Sequence, residues 1–199
     1  MKKIVSMFCT MLLVLSLAGI AGATAYTFQP NPSDLADLDH YYYYSWGIDW
    51  TVPTGETIVE ASLFFDNIRN WDSGYNDLWV HLLDSVAKGV TTGYDNQGGG
   101  DFFDGQGILL GHWEDLPATP QDITYDFKVE DTLGTLKDYI AYGNNFGFGF
   151  DPDCHFYNDG IKLTIETATA VVPEPTTLLL VGVGLLGLAG LGRKRIGKK

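Results

Sequence analysis

The sequence predicts an all-β domain, an antiparallel two-sheet sandwich of jelly-roll type with one short helix, set between apolar segments at both ends. Three observations carry this. About seven stretches alternate apolar and polar residues, the period of a strand with one buried face. Clusters of Gly, Pro, Asp and Asn separate them, as turns require. Outside the terminal segments, helical spacing is convincing at one place only, between Asp131 and Gly143. No repeat of fixed period is present, which argues against a solenoid or a propeller.

In chain order, Tyr26 to Asp39 is rich in Pro and Asp, lacks periodicity and reads as a leader lapping over the surface. Tyr41 to Trp50 then alternates, with Tyr42, Tyr44, Trp46, Ile48 and Trp50 on a core face. Pro53-Thr54-Gly55 turns the chain into Thr57 to Asn67, with Val59, Ala61, Leu63 and Phe65 inward, so the two stretches are expected to form a hairpin. Leu78 to Asp84 carries apolar residues on both faces and reads as a strand covered on both sides. The Gly-rich stretch between Asp84 and Gly107 reads as one long loop, well beyond the usual connection of about 4–6 residues. Ile108 to Trp113 is a short strand, and Pro117 and Pro120 exclude a central strand after it.

Ile123, Tyr125, Phe127 and Val129 give the cleanest alternation. Asp131 or Thr132 then caps a helix with Leu133, Leu136, Tyr139 and Ile140 on one face, ending near Gly143. Phe146, Phe148 and Phe150, and Ile161, Leu163 and Ile165, mark the last two strands.

The ends read differently. Lys2 and Lys3 precede the apolar run Ile4 to Ile20, and Ala23-Thr24-Ala25 offers small residues for cleavage, the layout of a secretory signal peptide over residues 1–25. At the other end, Pro173-Glu174-Pro175 is fixed in extended geometry and leads into an uncharged run, Thr176 to Gly192. Its residues, at about 1.5 Å each, reach roughly 25 Å as a helix, the short end of a bilayer span. Arg193, Lys194 and Arg195 follow, a cytoplasmic-side signature that puts the preceding domain outside. Between these segments lies an ectodomain of residues 26–172, a common size for one core.

Pro-Glu-Pro, the apolar span and Arg-Lys-Arg, in that order at the terminus, resemble the PEP-CTERM sorting signal of bacterial exported proteins. The resemblance covers residues 173–199 and implies recognition by a membrane-embedded exosortase. Pro173, Glu174 and Pro175 match the family's signature, and Arg193, Lys194 and Arg195 match its basic end. An ordinary single-span anchor with a Pro-Glu-Pro linker is the competing reading.

The ectodomain carries twenty-four acidic residues against five basic ones. Such a surface repels phosphate backbones and excludes nucleic acid as a partner, while it favours divalent cations. Cys9 leaves with the signal peptide, so Cys154 stands alone and reads as a packed side chain rather than half of an internal disulfide.

Asp151, Asp153, Asn158 and Asp159, within one loop, offer oxygen ligands of the kind Ca2+ takes, although the spacing is not that of an EF-hand. Asp66, Asp72, Asn76, Asp77, Asp95, Asp101 and Asp104 are further oxygen donors. The histidines, His40, His81, His112 and His155, are scattered without zinc-site spacing. Trp71, Tyr75, Trp79 and Tyr94 fall on loops or outer faces, where rings beside Asp and Asn stack on sugars; Tyr41, Tyr43 and Phe102 share that placement. No nucleophile elbow or phosphate-cradling loop is present.

The expected function is therefore non-catalytic: an adhesive or structural β-sandwich delivered to the cell surface or extracellular matrix, binding exopolysaccharide, with Ca2+ as its one candidate cofactor. A secreted jelly-roll polysaccharide hydrolase is the alternative.

Overall fold

The structure is a computed structural model that describes residues 23–95, 99–143 and 145–169, with three isolated positions at 182, 184 and 185. The chain divides into two units, Met1–Thr169 and Ala170–Lys199. Among the described residues no helix is long and apolar enough to cross a membrane. The expected signal peptide up to residue 22 lies outside them, as does the expected span 176–192 apart from those isolated positions.

Ten strands and one helix build the first unit: β1 (Ala23–Phe28), β2 (Tyr42–Ile48), β3 (Glu56–Asn70), β4 (Leu78–Leu83), β5 (Gly89–Tyr94), β6 (Ile108–Trp113), β7 (Gln121–Asp126), α1 (Leu133–Ala141), β8 (Phe146–Pro152), β9 (Phe156–Tyr157) and β10 (Gly160–Thr169). All pairings between these strands are antiparallel. One sheet runs β1-β10-β3-β7, with β9 also on β3, and the other runs β5-β2-β8-β4-β6. With β5 and β9 set aside, the chain winds through two four-stranded sheets in the jelly-roll manner.

The alternation explains the core. Phe146, Phe148 and Phe150 of β8 and Leu78, Val80 and Leu82 of β4 face Leu63 and Phe65 of β3 and Ile161, Leu163 and Ile165 of β10, all at most 0% exposed. Phe65 meets Phe150 edge-on across the two sheets, with ring centroids 6.1 Å apart. The core also takes in Leu136 and Ile140 of α1. Its buried members among the described residues lie between Leu35 and Ile165, so a chain of residues 23–172 contains all of them and is expected to fold without the tail.

Four expectations change. β2 and β3 are not a hairpin, because each lies in a different sheet and residues 49–55 cross between the layers. Within β3, Ile58 rather than Val59 is buried, since Glu60 pairs Glu166 while Ile58 pairs Thr167. Val59 is the extra residue of a bulge, and a bulge inverts the faces beyond it. The stretch between Asp84 and Gly107 contains a strand, β5, which pairs β2 at the sheet edge. The leader is not loose either: β1 pairs β10, and Leu35 and Leu38 are buried.

β7 also stops sooner than its pattern. Asp126 Oδ1 accepts the N–H groups of Lys128 and Val129, turning the chain and leaving Val129 76% exposed. Thr132 precedes α1 without capping it, because its hydroxyl is engaged with Tyr125 and the Phe127 carbonyl. The helix ends as expected, with Gly143 at φ 73° and its N–H on the Ile140 carbonyl. β1 begins at Ala23, inside the expected signal peptide; Tyr26 and Phe28, which pack on Trp50, are its half-buried residues.

Candidate functional site

The second sheet turns Phe146, Phe148 and Phe150 inward, so Gly147, Gly149 and Asp151 of β8 and His81 of β4 belong to its other face. Residues 99–107 fold back over that face. Phe103 lies directly on Gly149, where an added Cβ would come within 2.8 Å of its ring. Gly107, at φ 58°, passes so close to β4 that any side chain would strike the Leu82 carbonyl. Phe103, Leu83 and Val86 make a small second core, with Tyr43 against it. β8 is thus buried on both faces, as was expected of β4.

His81, 3% exposed, ties the loop to the sheet. Its Nδ1 faces the Gln106 carbonyl at 3.1 Å and its Nε2 faces Asp101 Oδ2 at 2.7 Å. Both partners are acceptors, so the ring satisfies both only with a proton on each nitrogen. Asp101 Oδ1 in turn accepts the Phe103 N–H.

Asp95, Gly99, Gly100, Asp101, Phe102 and Asp151 line a cleft of about 270 Å³. Asp151 is 0% exposed. Its Oδ2 accepts the Phe102 N–H at 2.6 Å, while its Oδ1 is shut off from solvent with no hydrogen-bond partner. Burial above all, then a side-chain hydrogen bond with Asp95 and the charges of Asp95 and Asp153, push its pKa from 3.8 to about 7, against the pull of the Phe102 N–H. Asp153 Oδ2 accepts the Gly100 N–H at 3.4 Å, and its Oδ1 is likewise unpartnered. Burial pushes its pKa to about 6, with Asp77 and Asp95 adding to the rise.

The domain's cations are elsewhere among the described residues. Lys88 pairs Asp49, Lys128 pairs Glu60, Arg69 lies over Tyr157 and Lys162 over Phe64. No Lys or Arg pairs Asp151 or Asp153 among the described residues.

Phe102 lines the cleft, and further rings stand at the adjoining end of the β2–β5 ladder. Tyr43 stacks on Phe102 with centroids 3.6 Å apart, and Tyr41 stacks on Tyr94 at 6.3 Å. Tyr42 meets Tyr94 edge-on at 6.0 Å. Tyr94 is 61% exposed, and Tyr41, Tyr42 and Phe102 are about two-fifths exposed.

The expected metal ligands do not converge. Asp151 and Asp153 face the cleft loop, whereas Asn158 Nδ2 donates to the Asp34 carbonyl and Asp159 Oδ2 accepts from Asn67 Nδ2. Asp95 and Asp101 join the first pair instead. Of the expected stacking residues, Tyr94 directly precedes the cleft residue Asp95 but pairs Tyr42 on the opposite face of the sheet, while Trp71 and Tyr75 stand exposed on the β3–β4 connection. Trp79 is half-buried and stacks on His112 at 4.6 Å, and His112 Nε2 lies 2.7 Å from Asp77 Oδ1.

Among the described residues, two sets of ligand atoms do fall within 4.8 Å of one another: Asp39, His40 and His155, and Asp77, His112 and Glu114. Sequence spacing hid the first, because its histidines are far apart in the chain and meet only through folding.

The sorting residues Pro173, Glu174, Pro175, Arg193, Lys194 and Arg195 lie outside the described residues. No curated protein matches the chain. Residues 171–195 match the PEP-CTERM protein-sorting motif, so this chain carries the signal of an exported protein that is membrane-anchored until exosortase processes it.

Proposed function

We propose that the exported domain is a non-catalytic adhesive or structural sandwich that binds extracellular polysaccharide at the β2–β5 edge of its second sheet, with Ca2+ ordering the cleft. The observation that carries this reading is a set of exposed rings at one end of the second sheet, Tyr41, Tyr42 and Tyr94 at the end of the β2–β5 ladder and Phe102 in the wall of the cleft that holds Asp151. Rings supply apolar faces for sugar stacking, and flanking carboxylates accept sugar hydroxyl protons. On this reading the processed domain ends at the cell surface or in the extracellular matrix.

Ca2+ suits the cleft because Asp151 and Asp153 each direct an unpartnered oxygen into a buried setting. The cleft carboxylates are not among the sets already gathered within 4.8 Å. A cation there draws on backbone carbonyls as well, which Ca2+ accepts in irregular number and geometry.

The test uses residues 23–172, which retain all of β1, in affinity electrophoresis through neutral and acidic polysaccharides, with Ca2+ or with EDTA. Retarded migration without release of reducing ends, stronger in Ca2+, is expected. Unretarded migration in every polysaccharide would overturn the binding role. The hydrolase reading draws on the raised pKa values of Asp151 and Asp153, since a carboxyl that keeps its proton near neutrality suits a general acid. Reducing ends released in the same assay would replace the first reading with that one.

A further inference from the structure

We propose that Asp39, His40 and His155 form a binding site for one first-row divalent metal ion, with Zn2+ the best fit. A ligand atom from each residue lies within 4.8 Å of the other two. His40 Nδ1 and His155 Nε2 are both shut off from solvent, and neither has a hydrogen-bond partner. A ring nitrogen in that position is left either with a lone pair and no donor or with a proton and no acceptor. A metal ion accepts both lone pairs at once.

The fold holds the three residues in place from several sides. The Asp39 N–H donates to the Tyr44 hydroxyl at 2.8 Å, and Asp39 Oδ1 accepts the Tyr41 N–H at 3.0 Å while lying 3.7 Å from His40 Nδ1. The Phe156 N–H donates to the Leu38 carbonyl at 3.3 Å, which stitches the segment carrying His155 to the one carrying Asp39 and His40. The Trp71 N–H donates to the His155 carbonyl at 3.0 Å. The rings are braced too, His40 on Tyr41 at 4.3 Å and His155 on Tyr157 at 4.7 Å. Leu35 to Leu38, just before the site, run through four consecutive positive φ angles and are anchored by burial of the two leucines.

Ligand chemistry selects the ion. Two imidazoles and one carboxylate suit zinc and its first-row neighbours, whereas Ca2+ and Mg2+ take oxygen. All three residues are part-exposed, so the site lies close beneath the surface, and zinc held by three protein ligands takes water as its fourth. None of them lines the acidic cleft, so this site stands or falls apart from polysaccharide binding. The set Asp77, His112 and Glu114 lacks the unpartnered nitrogens and serves as an internal control.

The experiment is calorimetric titration of EDTA-stripped residues 23–172 with ZnCl2, with Co2+ absorption as a second readout. One tight equivalent of Zn2+ is expected. Co2+ should give the visible bands of a low-coordinate nitrogen and oxygen site. Saturation at about 100 times Kd should raise the thermal midpoint by roughly 5–10 °C. His40→Ala and His155→Ala should each weaken binding at least tenfold, and His112→Ala should leave it unchanged. If His155→Ala fails to fold, His40→Ala decides, since that side chain is 26% exposed. No binding in the wild type, binding that survives both variants, or binding lost in His112→Ala would overturn the proposal.

Discussion

Replacing Asp151 by Asn in metal-free buffer changes the charge of the most enclosed carboxyl in the cleft and almost nothing of its shape. Asparagine retains an oxygen for the Phe102 N–H that Asp151 Oδ2 now accepts. The wild-type carboxyl moves from 3.8 to about 7 on folding. At about 1.4 kcal/mol per pH unit, its charged form weakens the fold by up to about 4 kcal/mol. The sign follows from the direction. Below pH 3.8 the group is protonated in both states and its contribution to stability is fully present. Between 3.8 and about 7 the unfolded chain ionises while the folded one keeps its proton, so stability falls as pH rises; above about 7 the loss is complete. Asp153, with its pKa raised to about 6, pulls the same way. Urea unfolding of both proteins in EDTA, from about pH 4 to about pH 8, gives a difference in which the carboxylates remote from Asp151 cancel. The variant should match the wild type at the acid end and exceed it by about 2–4 kcal/mol at the alkaline end. A difference that stays constant with pH would refute the buried-carboxyl account.

The remaining predictions concern the core, the loop and the tail. Phe148→Ala empties the centre of β8, where the ring is 0% exposed, and should cost about 3–5 kcal/mol in urea unfolding. Gly149→Ala drives a methyl group into the Phe103 ring; it should cost about 1–3 kcal/mol and speed hydrogen exchange at Phe102 and Phe103 more than at Leu163. Replacing Pro173, Glu174 and Pro175 by Ala should leave the sandwich folded and the chain unprocessed, read as an unchanged precursor mass in the membrane fraction.

Much of the sandwich is legible in the sequence because a half-buried strand must alternate. Tyr44, Trp46 and Ile48, the three phenylalanines of β8, and Ile161, Leu163 and Ile165 all sit where that period puts them. What escapes is set by pairing rather than pattern. The bulge at Val59 depends on where β10 lies, and β5 is an exposed edge strand whose Gly-Val-Thr-Thr-Gly-Tyr has no buried face to alternate against. Tyr42 is in phase with Tyr44 but 40% exposed, because it pairs Tyr94 at the end of an edge ladder.

The sites follow the same division. Acidic residues in Gly-rich loops are visible as oxygen donors, but which of them meet is decided by the fold. Asp151 and Asp153 lie next to Asn158 and Asp159 in sequence and turn to other partners. His40 and His155 have no sequence relation and come together because β8, β9 and the segment before β2 are neighbours. The tail behaves in the opposite way: its signal is a linear order of residues, and it matches as such.

Whether the β2–β5 edge of the second sheet holds sugar is settled most directly by removing its rings. Tyr94→Ala and Phe102→Ala, at positions 61% and 42% exposed, should leave the fold intact. Each stacked ring is worth about 0.5–1.5 kcal/mol, so the double variant should bind its polysaccharide about 5- to 150-fold more weakly than wild type in affinity electrophoresis with Ca2+. Equal retardation of the variant and the wild type would contradict the account.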